Sequence, residues 1–276
     1  MNNLATRTIS GAAFAIIIMA GALFSPYLFA ALFAFIISAL MNEFFNITMK
    51  NRFKLARIMT IISGVSLFLL VFAWRQFGIY PALIGLAVIP LMATMISVLF
   101  SNERQQVDTF SHLFCAYLYI AAPLSLTNLA VIDGDDFRGV LLICFFLIIW
   151  CSDIGAYALG MAFGQKENSK KLCPGISPKK SWIGYWGGLL FAVAAAAILS
   201  LTGLMDFGIW HCMALGAVIH IFGVFGDLFE SVWKRAYGLK DSGNAIPGHG
   251  GFLDRFDSSI MAIPAAVLYL LIFNII

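Results

Sequence analysis

Apolar residues recur along this chain in runs long enough to cross a bilayer, each parted from the next by a short polar stretch. A helix needs about 20 apolar residues to span the hydrocarbon core. Nine segments read as candidates: 9–25, 27–45, 58–74, 79–100, 110–132, 138–161, 182–203, 208–230 and 258–276. The pattern predicts an all-α, polytopic integral membrane protein with about nine transmembrane helices. Only a turn at Ser25-Pro26 divides the first two, and no small-x-small cleavage site follows the first run, so it reads as a span and not a signal peptide. Residues 1–135, rich in Ala, Ile, Leu and Phe, read as a transmembrane scaffold. Residues 136–276, where charges enter the spans, read as the catalytic region of the same membrane unit.

Composition agrees with the pattern. Hydrophobic residues make up 61% of the chain and charged residues 11%, against about 45–50% and 25% in soluble domains. Nine spans put the N-terminus and the even-numbered connections on one side. That side collects Arg7, Lys50, Arg52, Lys54, Arg57, Arg104, Lys166, Lys170, Lys171, Lys179, Lys180, Lys234, Arg235, Lys240 and Arg255, leaving only Arg75 and Arg138 opposite. Basic residues mark the cytoplasmic face, so the N-terminus is expected inside and the C-terminus outside. Dropping one span would scramble this sorting.

Several features have plain readings. The five cysteines show no CxxC pair and no metal-ligand spacing, which suits small apolar packing without disulfides. The basic stretch 50–57 is a topology signal or a binder of anionic headgroups. Asn42-Glu43, at the end of the second span, is an interfacial carboxylate near Lys50 and Arg52 or a functional group. Asp133, Asp135 and Asp136 with Gly134 read as a solvated outer turn.

The character changes near residue 150. Asp153 lies well inside the sixth span, where a carboxylate costs about 2.5–3.5 kcal/mol on insertion scales and is a functional-site hypothesis by default; the other reading is a partner for a basic residue of the next loop. That loop, 165–181, holds five lysines together with Ser177 and Ser181, while Pro174, Gly175 and Pro178 forbid a continuous helix. It reads as an ordered turn that grips an anion, or as a generic juxtamembrane basic loop. In the eighth span Asp227, Glu230 and Ser231 share one helical face, with His220 two turns deeper as an interhelical hydrogen-bonding group. Asp254 and Asp257, three apart at the start of the ninth span, are expected to share a face and meet them. Oxygen ligands with few histidines suit magnesium; an ion-pair network with Lys234, Arg235 and Arg255 is the other reading. The connector between the two spans is glycine-rich, as are phosphate-binding backbone nests.

Ser231-x-x-Lys234-Arg235, Lys240-Asp241-Ser242-Gly243 and Pro247-Gly248-His249-Gly250-Gly251-x-x-Asp254-Arg255-x-Asp257 together resemble the signature of the phosphatidate cytidylyltransferases, the CDP-diacylglycerol synthases. Asp153-x-Gly155-Ala156-Tyr157, Gly160, Phe163-Gly164 and Ser177-Pro178-x-Lys180-Ser181-Trp182 look like the same family. The resemblance covers about residues 150–260; earlier residues agree mainly in hydropathy and in Asn42-Glu43-Phe44. Two departures stand out: Ile183 replaces a usual Glu or Gln, and the 165–176 loop is a few residues longer.

The resemblance implies transfer of the cytidylyl group of CTP to phosphatidate, giving CDP-diacylglycerol and pyrophosphate, with magnesium and a potassium ion beside it. On that reading Asp227 and Asp254 hold the divalent ion and Asp257 and Asp153 complete the site. Lys234, Arg235, Lys240 and Arg255 grip phosphates next to Asp241, and Ser177, Lys179 and Lys180 close over one substrate. Ser231, Ser242, Gly250 and Gly251 bind substrate, with His249 orienting the loop. CTP and bilayer phosphatidate are the expected partners, with no nucleic acid; similar enzymes suggest a homodimer. The expected location is a bacterial-type cytoplasmic (inner) membrane, the active site facing the cytoplasm. A CTP-dependent kinase of a polyprenol-type alcohol is the alternative, needing a general base for its hydroxyl nucleophile, and an anion or lipid transporter is a further one.

Overall fold

The computed structural model describes residues 3–50, 52–100, 108–166, 169–243, 245 and 250–276. Among them, eight helical segments are long and apolar enough to cross a membrane: Pro26–Thr48, Lys54–Phe77, Pro81–Leu99, Thr109–Val131, Gly139–Phe163, Trp182–Leu201, Ile209–Ala236 and Leu253–Ile272. A shorter apolar stretch, Gly11–Leu23, belongs to the first helix, α1 (Asn3–Leu23). The chain is therefore an all-α polytopic membrane protein; eight of the nine apolar runs read from the sequence correspond to the eight longer segments, and the first, 9–25, meets only the shorter stretch in α1.

Two compact units divide the chain. The first comprises Met1–Gly139 together with Asp241–Arg255, the second Val140–Lys240 together with Phe256–Ile276. The glycine-rich connector joins the N-terminal unit.

In the first unit, α2 (Pro26–Thr48) packs on α3 (Lys54–Phe77) through fully buried Phe29, Phe33 and Phe68, the last two stacked at 6.0 Å. Ser25 caps α2 by accepting from the Tyr27 amide at 3.2 Å, with Pro26 in the first turn where no amide hydrogen is needed. The fourth span opens as a 3-10 turn, Pro81–Ala87, continued by α4 (Val88–Leu99); the Ser63 hydroxyl donates to the Ala87 carbonyl at 2.6 Å. The fifth is broken into α5 (Asp108–Ala116), a π turn (Tyr117–Ala121), α6 (Ala122–Ser125) and α7 (Thr127–Val131), a sequence of adjustments that Pro123 makes necessary. A two-residue ribbon follows, β1 (Ile132–Asp133) against β2 (Asp136–Phe137). Arg75, at the end of α3, donates to the Ile132 carbonyl and pairs with Asp133, both at 2.8 Å, so the acidic turn is organised by an ion pair and is not merely solvated. At the other end of α3, Arg57 is buried and donates to the side-chain oxygens of Asn42 (3.2 Å) and Asn46 (2.5 Å) and to the Lys50 carbonyl. One basic residue of the 50–57 stretch is thus structural.

In the second unit, α8 (Gly139–Phe163) leads to an antiparallel ribbon, β3 (Lys171–Cys173) against β4 (Ser177–Ser181), and then to α9 (Trp182–Leu201). Ser181 caps α9 by accepting from the Gly184 amide at 3.1 Å. The long α10 (Ile209–Ala236) packs on both α9 and α12 (Ser259–Ile272). Small residues permit these approaches: a Cβ on Gly216 would lie 2.8 Å from the Ala192 carbonyl, and one on Gly226 would lie 2.5 Å from the Asp257 carbonyl. His220 is buried in α10, with Nδ1 2.8 Å from the Ser152 hydroxyl and its ring 4.8 Å from that of Tyr185. It is the interhelical group expected from its position. The last span is broken: α11 (Leu253–Phe256) stops after four residues, and a turn at Asp257-Ser258 precedes α12.

Candidate active site

The second unit gathers three carboxylates. Asp227 and Glu230 lie three apart on α10, and the turn after α11 delivers Asp257, so that one oxygen from each lies within 4.8 Å of the others. Gly226, immediately before Asp227, lets the backbone of residue 257 come this close. Glu230 is fully buried, and Asp227 and Asp257 are half-buried. Three anions in so small a volume repel one another strongly unless cations intervene. Two lysines do so. Lys180, from β4, donates to Asp227 Oδ2 at 2.5 Å, and buried Lys234 pairs with Glu230 one turn away on α10. The Ser231 hydroxyl donates to Asp227 Oδ1 at 3.4 Å. Asp153 on α8 is exposed and within electrostatic range of Asp257.

The basic loop expected to grip an anion is an ordered hairpin, as its prolines and glycine require. Its lysines divide by role. Lys171 donates to the Gly164 carbonyl (2.9 Å) and to Gln165 (3.0 Å), finishing the end of α8. Lys179 is exposed and its carbonyl accepts from Gln165 at 2.9 Å, while Lys180 turns to the carboxylates. Ser177 is half-buried at the start of β4. Arg235 and Lys240 are exposed beyond the carboxylates, and Arg235 donates to the Leu239 carbonyl at 2.8 Å.

The first unit holds the second cluster, built on the connector. Asp254 Oδ2 accepts from the amides of Ser242 and Gly251 and from the Ser242 hydroxyl, each at 2.9 Å. Glu43, reaching in from the end of α2, accepts from the Phe252 amide at 2.8 Å and the Leu253 amide at 3.3 Å, and shares the single Ser242 hydroxyl hydrogen with Asp254. Gly250 adopts φ +84°, and a Cβ there would lie 2.5 Å from Asp254 Oδ2. At Gly251 a Cβ would fall inside the Glu43 carboxylate. Asp241 and Arg255 are exposed at either edge. His249, with Pro247 and Gly248, lies outside the described residues.

Two expectations change here. Asp254 and Asp257 do not sit on one continuous helix, because α11 ends between them: Asp254 accepts hydrogen bonds from the connector and Asp257 joins Asp227 and Glu230. The glycine-rich stretch has the amide-lined shape of an anion nest, but the amides of Ser242, Gly251, Phe252 and Leu253 already donate to the protein's own carboxylates. Glu43, which sequence alone left open between interfacial and functional, is part of this cluster. Its signal was a carboxylate at the end of an otherwise apolar span.

The cytidylyltransferase family model matches residues 5–273. This chain belongs to the cytidylyltransferase family. Among similar proteins, the phosphatidate cytidylyltransferase of Staphylococcus epidermidis is 31% identical over 264 residues, covering 94% of this chain and 95% of the relative. Those of Bacillus subtilis and Haemophilus influenzae are 40% identical over 128 residues and 42% over 135, each covering just under half of both chains. As a member of this family the chain is a nucleotidyltransferase set in a membrane, 61% hydrophobic in composition.

Proposed function

We propose that the chain transfers the cytidylyl group of CTP to phosphatidate, forming CDP-diacylglycerol and pyrophosphate. A phosphate oxygen of the lipid attacks the α-phosphorus of CTP, a new P–O–P linkage forms, and the bond between the α-phosphorus and the bridging oxygen to the β-phosphate breaks. Phosphate monoesters lose their second proton near pH 6, so the nucleophile is already anionic and no strong general base is required. The difficulty is charge: two polyanions meet while negative charge builds on the leaving pyrophosphate, and preorganised cations are what lower such a barrier.

The observation that carries this reading is the Asp227–Glu230–Asp257 cluster with Lys180 beside it. Three carboxylate oxygens within 4.8 Å suit a hard divalent cation held partly through water, as magnesium usually is. Magnesium bound there would act as a Lewis acid on the triphosphate. Asp227, Glu230 and Asp257 would hold it, and Asp254 enters the proposal through the connector it organises. Lys180 and Lys234 neutralise the carboxylates and supply ammonium groups for phosphate oxygens, with Arg235 and Lys240 of the same unit as further grips. The site is proposed to face the cytoplasm, with the N-terminus inside, on the strength of the basic-residue sorting. In the first unit, Arg75 and Asp133 pair at one end of α3 while Lys54 and Arg57 mark the other, as that sorting requires.

Purified protein in mixed micelles, given CTP, magnesium and phosphatidate, should release one pyrophosphate for each CDP-lipid formed. Release of CDP with phosphorylation of a lipid alcohol, or no turnover of either kind, would defeat the proposal.

A further inference from the structure

Glu43 lies 199 residues before Ser242 in sequence, yet its carboxylate is the point on which the connector is folded. It is 9% exposed, and it accepts from two consecutive backbone amides and a hydroxyl. With Asp254 it fills a cradle of amides of the kind that elsewhere holds phosphate. The anion here is internal, and the chain around it has been cut to fit. Gly251 has no room for a Cβ against Glu43 and Ser242, and a Cβ on Gly243 would lie 3.2 Å from the Glu43 carboxyl carbon. The Phe35 ring, two turns earlier on α2, meets the Phe252 ring edge-on at 5.9 Å. Asn42 and Asn46, flanking Glu43 on the same helix, hold Arg57, so α2 is itself fixed where Glu43 projects.

We infer that Glu43 is a positioning residue for the transfer reaction: an internal anion that holds Ser242, Phe252 and Leu253 in the arrangement that presents Asp254 and Arg255. The inference rests on the reading of that connector as part of the catalytic machinery. A carboxylate suits the role better than an amide. Its two oxygens only accept, and all the connector groups facing it donate, whereas one end of a glutamine would meet an amide hydrogen with its own.

The test is steady-state kinetics on wild-type, Glu43→Gln, Glu43→Asp and Gly251→Ala proteins, each normalised to monodisperse protein by size exclusion. Glu43→Gln is expected to raise the KM for CTP about ten-fold, the factor that one lost charge-assisted hydrogen bond produces, with the KM for phosphatidate within two-fold of wild type. Glu43→Asp, which keeps the charge but shortens the reach, should recover part of that change. Gly251→Ala attacks the same contact from the other side and should share the CTP effect. Combined with Glu43→Gln it should add little further, because the two substitutions weaken one interaction. A purely structural role for Glu43 predicts less folded protein with both KM values unchanged. That result, or additive effects in the double variant, overturns the inference. Asp254→Asn and Arg255→Ala separate this from the underlying reading. Impaired turnover in them with normal Glu43→Gln kinetics removes the Glu43 inference alone, and normal turnover in all of them removes the connector from the machinery.

Discussion

Asp227 and Glu230 show how a single helical turn can set both the chemistry and its risk. Each carboxylate is unfavourable near hydrocarbon, and the cost is offset by the lysine that pairs with it. Removing one acid therefore changes two things, cation affinity and the partner lysine. Asp227→Asn is expected to lower kcat by at least about 10²-fold, in the range for loss of one preorganised electrostatic group, and to raise the magnesium concentration needed for half-maximal rate. Titrating rate against magnesium would check it, and unchanged half-saturation would remove Asp227 from the cation site. Asp254→Asn should act on CTP affinity more than on the magnesium requirement, since Oδ2 of that residue serves Ser242 and Gly251. The i, i+3 spacing made Asp227 and Glu230 legible in sequence. The partition between Asp254 and Asp257 was not, because it depends on α11 ending after four residues, and no proline or glycine marks that stop. Glu43 was half-legible: the carboxylate stood out in an apolar span, but its partners are backbone amides of distant glycine-rich chain, which carry no side-chain signature.

At the scale of elements, the membrane spans followed from hydropathy because every backbone polar group in hydrocarbon must be satisfied within its own helix. The irregular pieces escaped. Pro174, Gly175 and Pro178 ruled out a helix, yet a ribbon whose strands are Lys171–Cys173 and Ser177–Ser181 is too short to show alternation. Helix-to-helix approach is more readily tested. Gly226→Val places side-chain atoms where the Asp257 backbone now sits, and overpacking of this kind costs about 1–3 kcal/mol. A lower melting temperature in detergent together with lost activity is expected. Gly223→Ala is the control, because its Cβ would meet Ser258 and Ala262 at 3.7 and 3.8 Å, ordinary contact distances. A Gly223→Ala protein as damaged as Gly226→Val would show that α10 tolerates no added volume anywhere on this face.

For the whole molecule, the nine-span reading of the sequence sorts fifteen of seventeen basic residues to one side, an expectation that an impermeant thiol reagent can check. In a background lacking the five native cysteines, Asp135→Cys, at an exposed position beside the ion-paired outer turn, should label in intact cells. Lys54→Cys, exposed at the start of α3, should label only after lysis. The reverse pattern would invert the proposed orientation. Hydropathy made the helical membrane fold readable. The assignment of Asp241–Arg255 to the N-terminal unit was not readable, because a connector rich in glycine announces flexibility and not destination.

That assignment has a consequence for how the chain is made. Polypeptides emerge at about 5–20 residues per second, so the 199 residues between Glu43 and Ser242 correspond to roughly 10–40 seconds of synthesis at that pace. Throughout that interval α2 is complete but the donors that will surround its carboxylate do not yet exist. The nascent N-terminal unit must wait in the bilayer with an acid held by water, lipid headgroups or the insertion machinery. Chains halted before residue 241 should then be cleared by membrane proteases faster than chains halted after residue 255, a difference that pulse-chase labelling of staged truncations would record.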